Sequence, residues 1–293
     1  MKAAVRSVLG ALLLLQACMA PVVAPAGSDE LLLDGFPEGT AVAEAEAPDG
    51  TTLRGVFVPA GADAPVVLHL LPREASITTG IGAFGGMKQT LATLRELGFA
   101  SLVLDYRGVG ASDGSPSPRD LADDGWAMWQ AALERSSGDP STVVLRATSL
   151  GSLVAAELLE RGARPAALVL FAPVRTETVA ANGARERYGS LLGTLVGAFL
   201  RSPTTSSLDD VLERTEVPTL LVAAADDVYL PALERDELVR IAQAAGHRTV
   251  VHDGDHGQLT LRAYNFELTA LRGGVVEGLL EAEQGFLELY GMP

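Results

Sequence analysis

From Thr40 onward the chain alternates short apolar runs with longer amphipathic stretches, and this alternation constrains the fold more than any other feature. Short buried strands linked by helical crossovers predict a mostly parallel β-sheet in an α/β architecture. The expected strands are an opening hairpin at 41–47 and 52–58, followed by 65–70, 100–105, 142–148, 166–171, 219–224 and 248–252. The expected helices are 86–97, 118–135, 150–161 and 231–245.

One serine lies where an expected strand turns directly into an expected helix. Ser149 follows the apolar run 142–148 and precedes a stretch of small residues. A sharp turn of this kind strains the backbone at the serine, so the residues two before and two after it must be small. Ala147 and Gly151 meet that condition, although glycine is more usual at the first of these positions. The pattern favours Ser149 as a nucleophile over the alternative of an ordinary N-cap serine.

A carboxylate and an imidazole follow later strands, where they can reach that serine. The strand 219–224 is followed by Asp226 and Asp227, and the strand 248–252 is followed by His256 in a turn-rich stretch. We expect His256 to lie on a flexible loop and to act as the general base. Two other histidines are interpreted as surface or strand-edge residues, namely His247 and His252.

The order Ser149, Asp227, His256 resembles the catalytic triad of the α/β-hydrolase superfamily, and the resemblance extends over about residues 48–290. The stretch 104–114 is similar to the Asp-x-Arg-Gly-x-Gly-x-Ser segment of many members, and its Asp and Arg are expected to make structural hydrogen bonds. The resemblance implies an α/β-hydrolase fold, with a mostly parallel central sheet, helices on both faces and a small helical cap. It also implies that Asp227, rather than the residue before it, orients the base.

A tetrahedral intermediate needs two N–H donors for its oxyanion. One expected donor is the amide of Leu150, which follows the serine. By resemblance to a His-Gly-x motif after an early strand, His69-Leu70-Leu71 makes the amide of Leu71 the second donor, with Leu70 standing where the motif has glycine. His69 is otherwise interpreted as a strand-end histidine. The glycine-rich run 79–86 is expected to be a mobile loop near the site.

The N-terminus has the features of an export signal. Two basic residues precede an apolar run at 8–15, which is too short to cross a bilayer as a helix, so residues 1–17 are predicted to be a signal peptide. The segment Leu15-Gln16-Ala17-Cys18 resembles the lipobox of bacterial lipoproteins. Cys18, the only cysteine, is therefore the expected lipid attachment site, and an outer-membrane lipoprotein is expected. The alternative is cleavage after Ala20, which would give a soluble secreted or periplasmic protein.

The rest of the chain divides into a tether with the first strand, 18–47, and one hydrolase domain, 48–293, with the cap at about 174–216. The net charge is −15, and without the first seventeen residues it would be 20 − 37 = −17, which disfavours nucleic acid as a partner. No metal or cofactor is expected, because the histidines lack ligand spacing.

The resemblance implies a carboxylesterase-like serine hydrolase, which would cleave an ester or related acyl bond of a small molecule through an acyl-enzyme on Ser149. Two alternatives remain open from the sequence. One is amide or peptide hydrolysis by the same three residues. The other is a non-catalytic envelope lipoprotein that uses the fold to bind a partner or a ligand.

Overall fold

The structure is a computed structural model, and it describes residues 31–73, 75–77, 80–81, 87–117, 119–190, 193–194, 205–264, 277–289 and 292. The predicted signal peptide, Cys18 and the rest of the predicted tether up to residue 30 lie outside these residues. Parts of the glycine-rich run and of the predicted cap also lie outside them. No helix among the described residues is long and apolar enough to cross a membrane.

The strands form one eight-stranded sheet and one short hairpin. In chain order they are β1 (Ala41–Glu46), β2 (Thr52–Val58), β3 (Val66–Leu70), β4 (Ala75–Ser76), β5 (Gly80–Ile81), β6 (Ala100–Leu104), β7 (Val143–Thr148), β8 (Ala167–Phe171), β9 (Thr219–Ala224) and β10 (Arg248–His252). The large sheet has the order β1-β2-β6-β3-β7-β8-β9-β10, and β4 pairs with β5.

Most of the large sheet is parallel, and this places the ends of several strands at one edge. Pairing is antiparallel between β1 and β2 and between β2 and β6, and parallel from β6 through β10. The central strands are buried along their whole length, as expected for a sheet with helices on both faces. The register pairs Leu70 with Ala147 and Thr148 with Phe171. The residues that follow β3, β7, β9 and β10 therefore meet at the carboxyl edge.

The helices lie between and after these strands. Those described are α1 (Met87–Glu96), α2 (Leu121–Arg135), α3 (Leu150–Glu160), α4 (Val179–Tyr188), α5 (Leu208–Arg214), α6 (Ala232–Ala244), α7 (His256–Ala263) and α8 (Glu277–Glu288). Helices α2, α3, α5 and α6 pack side by side in that order, while α7 contacts β8 and β9. Their apolar faces and the strands form a continuous core.

The predicted α/β fold class is confirmed, with a mostly parallel sheet and helices on both faces. The strand bounds differ from expectation by at most one residue, and the expected helices begin or end up to three residues inside the predicted spans. The glycine-rich run was expected to be a loop throughout, and that expectation is wrong for Gly80 and Ile81. These two residues pair with Ser76 and Ala75.

The turn after β6 has the structural role expected of it. The Asp105 carboxylate accepts a hydrogen bond from the Ile77 amide at 2.9 Å. Arg107 donates to Asp124 at 2.8 Å and to Asp49 at 2.8 Å, so its guanidinium joins this turn to helix α2 and to the β1–β2 turn. These bonds fix the loop that follows β6 at the carboxyl edge of the sheet, the edge at which the site also lies.

Candidate active site

Ser149 lies on the sharp turn between β7 and α3. Its backbone has φ 51° and ψ −114°, a left-handed conformation that a residue with a side chain rarely adopts. The Ser149 amide donates to the Phe171 carbonyl at 3.0 Å, which fixes the turn against the neighbouring strand β8. Strain of this kind persists only where the surrounding structure enforces it, and here it projects the half-buried hydroxyl from the carboxyl edge.

The small residues on both sides of Ser149 let the turn pack closely. Ala147 is fully buried between β3 and β8. A Cβ atom on Gly151 would lie 2.1 Å from the Leu70 carbonyl oxygen, so only glycine fits there without a shift of the backbone. This contact brings the end of β3 against the start of α3.

Asp227 is held in the loop after β9 by backbone amides. Its Oδ1 accepts hydrogen bonds from the amides of Tyr229 at 2.8 Å and Leu230 at 3.1 Å, and its side chain is 0% exposed. Asp226 is exposed, and its amide donates to the Gly254 carbonyl in the loop after β10. Of the two neighbouring carboxylates, the loop therefore turns only Asp227 inward.

His256 joins the other two residues. Its Nε2 lies 2.8 Å from Ser149 Oγ, and its Nδ1 lies 2.6 Å from Asp227 Oδ2. The expectation that His256 lies on a flexible loop is wrong, because it is the first residue of α7. The Asp255 carboxylate caps that helix by accepting from the Gln258 amide at 2.8 Å. The N-cap thus fixes the backbone that carries the imidazole.

An aromatic ring completes the surroundings of the imidazole. The ring of Tyr229 lies 4.8 Å from the ring of His256, centroid to centroid, at an interplanar angle of 57°. The backbone carbonyl of Tyr229 accepts a hydrogen bond from Asn182 of α4 at 3.0 Å. Tyr229 was not among the residues expected at the site, and the available signal in the sequence was an aromatic residue two positions after the acid.

The hydrogen-bonded chain Ser149–His256–Asp227 has a defined chemical capacity. If the Asp227 carboxylate accepts the Nδ1 proton, Nε2 carries a lone pair directed at the serine hydroxyl. That nitrogen can then remove the hydroxyl proton as the oxygen attacks an electrophile. The structure thus brings the three side chains that the sequence singled out into one continuous series of hydrogen bonds.

One expected oxyanion donor directly follows the serine, and the other directly follows the neighbouring strand β3. Leu150 is the first residue of α3 and directly follows Ser149. Leu71 directly follows β3, is buried, and its carbonyl accepts from the Tyr106 hydroxyl at 3.3 Å. Because Gly151 packs on the Leu70 carbonyl, the Leu71 segment borders the turn that carries Ser149.

Two other histidines lie near strand ends, as expected, but both are buried. His252 is the last residue of the edge strand β10 and lies 2.9 Å from the Arg262 guanidinium. His69 is fully buried within β3, with Nε2 3.4 Å from Ser101 Oγ. Burial, aided by the positive charge of Arg146, holds the pKa of His69 well below its usual range. His69 is therefore neutral and packed in the core.

An open cleft of about 480 Å³ borders the site between α4 and the Asp227 loop. Residues from both sides line it, including Asn182, Arg185 and Val228. Helix α4 belongs to the segment predicted to be a cap. The part of the chain that the structure describes contains no group of three or more His, Cys, Asp and Glu side chains arranged to hold a metal ion.

The chain is similar to several known proteins in sequence and in fold. The family model described as "Serine aminopeptidase, S33" matches residues 80–206. The uncharacterized protein YfhR of Escherichia coli K12 is 26% identical over 221 residues, which cover 73% of this chain and 72% of YfhR. Lysophosphatidylserine lipase ABHD12 of Danio rerio is 29% identical over 178 residues, which cover 57% of this chain and 44% of the lipase. An esterase of Pyrococcus furiosus has a TM-score of 0.68 and 16% identity, covering 92% of this chain and 97% of the esterase.

Proposed function

We propose that this chain, which has the α/β-hydrolase fold and matches a hydrolase family model, is a hydrolase that cleaves a carboxylic ester through an acyl-enzyme on Ser149. The observation that carries the proposal is the continuous hydrogen-bonded chain from Ser149 to His256 at 2.8 Å and from His256 to Asp227 at 2.6 Å. The fold alone would not support it, because the same fold serves unrelated functions. The substrate is a small molecule with an acyl group.

The proposed reaction has two halves. His256 Nε2 takes the hydroxyl proton of Ser149 while Oγ forms a bond to the carbonyl carbon. The tetrahedral intermediate then collapses, the bond to the leaving oxygen breaks, and His256 returns the proton to the departing alcohol. In the second half His256 takes a proton from water, hydroxide adds to the acyl carbon, and Ser149 leaves with that proton. Asp227 keeps the Nδ1 proton in place throughout.

The proposed oxyanion donors are the amides of Leu150 and Leu71. Leu150 stands at the N-terminus of α3, where the first amides of a helix lack partners within the helix. Such a position favours negative charge. The close packing of Gly151 on the Leu70 carbonyl supports a second donor from the adjacent segment. Removal of a single oxyanion donor typically costs a factor of about 10² to 10³ in turnover.

The decisive experiment is Ser149→Ala, measured with p-nitrophenyl esters of several acyl chain lengths and with a fluorophosphonate probe. We expect turnover to fall by about 10⁴ to 10⁶ and labelling to disappear, because the nucleophile is lost while the fold is kept. Ser141, an exposed serine in the turn before β7, supplies the control. Ser141→Ala should retain both the ester turnover and the fluorophosphonate labelling of the wild type. Full esterase activity in Ser149→Ala would refute the proposal.

A second candidate reaction is amide or peptide hydrolysis by the same three residues. The match of residues 80–206 to the serine aminopeptidase model favours it. Matched ester and amide substrates with the same acyl group separate the two reactions, since fluorophosphonate labels both kinds of enzyme. A protein that only binds a partner or ligand would not be labelled at Ser149.

We propose in addition that the protein is a bacterial lipoprotein, anchored through Cys18 and directed to the outer membrane. The support is the apolar run at 8–15 followed by the lipobox-like segment that ends at Cys18. Acyl chains on the mature N-terminus would hold the protein at a membrane without a spanning helix. An inhibitor of lipoprotein processing should make the unprocessed form accumulate, as should Cys18→Ser. Unchanged processing with either treatment would favour cleavage after Ala20.

A further inference from the structure

Arg146 is a fully buried cation three residues before Ser149 on β7. Its side chain is 0% exposed, and its neighbours along the strand are apolar or small. Arginine is rarely buried to this extent, because removing a charge from water is costly unless other groups compensate it. The mechanism proposed above does not use this residue.

The guanidinium of Arg146 is compensated from two helices. Its Nε donates to Glu283 Oε1 at 2.7 Å, and its Nη2 donates to Oε2 of the same carboxylate at 3.1 Å. Glu283 belongs to α8 and is itself buried. Nη2 also donates to the Ala263 carbonyl at 2.7 Å. The rings of Phe171 and Tyr264 lie 4.6 Å and 5.1 Å from the guanidinium carbon.

These contacts join the two elements that carry the reacting side chains. Helix α7 begins at His256 and ends at Ala263. The carbonyls of the last helical turn have no partners within the helix and favour a cation. Strand β7 runs from Arg146 directly to Ser149. Two residues after Arg146 on this strand, Thr148 donates to the hydroxyl of Tyr264, the residue after α7, at 3.2 Å, which adds a second bond between the two elements.

Arg146 therefore joins β7 and α7 at a point distant from the ends that carry Ser149 and His256. Three residues of strand span about 10 Å, and eight residues of helix span about 12 Å. The strand and α7 are joined at the Arg146 end by hydrogen bonds and at the other end by the Ser149–His256 contact. A tilt of α7 that breaks the bond to the Ala263 carbonyl would change the distance between Ser149 Oγ and His256 Nε2.

We propose that Arg146 is a positioning residue for the reaction, with Glu283 as the group that orients its guanidinium. The inference rests on the proposed function of Ser149 and His256. A buried ion pair contributes little net stability, and a well-packed apolar pair of similar volume often replaces it without loss. Net stability therefore does not explain why this costly charge is buried. The constraint that Arg146 places on the position of α7 does explain it.

The test is a double variant, Arg146→Met with Glu283→Leu, which removes both charges and leaves neither buried alone. We expect the melting temperature to stay within about 5 °C of the wild type. We expect kcat for a p-nitrophenyl ester to fall about 10- to 100-fold with KM within about twofold, because a misplacement of about 1 Å can cost that much. In a crystal structure the Ser149 Oγ to His256 Nε2 distance should exceed a hydrogen bond.

The matched control is the buried pair of Arg107 and Asp124, whose side chains are 7% and 0% exposed and which join the β6 turn to α2. Arg107→Met with Asp124→Leu should keep kcat within about twofold, even if it lowers stability. Unchanged kcat and an unchanged distance in the first double variant would overturn the proposal, and so would an equal loss of kcat in the control. If the wild type has no esterase activity, the proposed function fails, and the crystallographic distance alone decides the role of Arg146.

Discussion

At the scale of single residues, the loop after β9 decides which of two adjacent carboxylates can serve the imidazole. Two backbone amides hold one oxygen of Asp227, and its other oxygen faces His256 Nδ1. Asp226 points to solvent. The sequence alone leaves this choice open, because both residues follow the same strand. Resemblance to a known triad selected Asp227, and the hydrogen bonds supply the physical reason.

This difference predicts the behaviour of Asp227→Asn. An amide in place of the carboxylate can donate to Nδ1, which favours the tautomer in which Nε2 carries the proton and cannot accept one from Ser149. We expect kcat to fall about 10⁴-fold with the fold intact. Asp226→Asn is the matched control and should stay within about twofold of the wild type. Steady-state kinetics on one ester measures both, and equal effects of the two variants would contradict the assignment.

Asp105 gives a prediction about pH. Burial raises the pKa of its carboxyl well above the usual range, and the hydrogen bond from the Ile77 amide opposes this only in part. The folded protein therefore binds this proton more tightly than the unfolded chain does. The contribution of Asp105 to stability is full below the unfolded pKa of about 4 and is lost as pH rises through the folded pKa.

Asp105→Asn removes that titration and keeps an acceptor for the Ile77 amide. The free energy of unfolding of this variant, relative to the wild type, should increase as pH rises from about 4 toward neutrality. Urea denaturation at a series of pH values measures the trend. In Asp113, hydrogen bonds from Arg54 lower the pKa, so Asp113→Asn should show the opposite trend, and only at and below about pH 4, where the wild type loses that contribution as pH falls. A pH-independent difference for Asp105→Asn would contradict the prediction.

At the scale of elements, the strands of the large sheet were predictable almost to the residue and the last helices were not. A central strand is an apolar run bounded by turn residues, so its limits are visible in the sequence. Helix α7 depends on the Asp255 cap within a stretch of glycines and acids that is typical of a loop. Helix α8 is fixed in part by a buried ion pair with Arg146, a partner 137 positions away. Local patterns contain no sign of that partner.

The junction between β7 and α3 gives a prediction about packing. Gly151→Ala places a methyl group 2.1 Å from the Leu70 carbonyl oxygen, so either α3 or the end of β3 must move. We expect the variant to lose about 1 to 3 kcal/mol of unfolding free energy. Ester turnover should fall as well, because the displaced segment carries the proposed Leu71 donor.

A second helical glycine provides the control for that change. Among the described residues, a Cβ atom on Gly285 of α8 would meet no heavy atom within 4 Å outside the adjoining backbone. Gly285→Ala should therefore leave turnover unchanged and increase the unfolding free energy by about 0.5 to 1 kcal/mol, the helix propensity difference. Chemical denaturation and ester kinetics on both variants make the comparison. Wild-type stability and turnover in Gly151→Ala would contradict the prediction, because they would mean that the junction accommodates a methyl group.

At the scale of the whole molecule, the net charge of −15 surrounds the site with a field that acts on charged substrates before contact. This field depends on ionic strength, since the screening length falls from about 30 Å at 0.01 M salt to about 8 Å at 0.15 M. We expect kcat/KM to increase with salt for an ester that bears a remote carboxylate and to decrease for one that bears a remote quaternary ammonium. The kcat/KM for a neutral ester of the same length should change little with salt. This control separates the effect of the electrostatic field on a charged substrate from any effect of salt on the reaction itself. If the anionic ester is the better substrate at low salt, cationic side chains at the entrance, such as Arg185 beside the cleft, outweigh the overall charge.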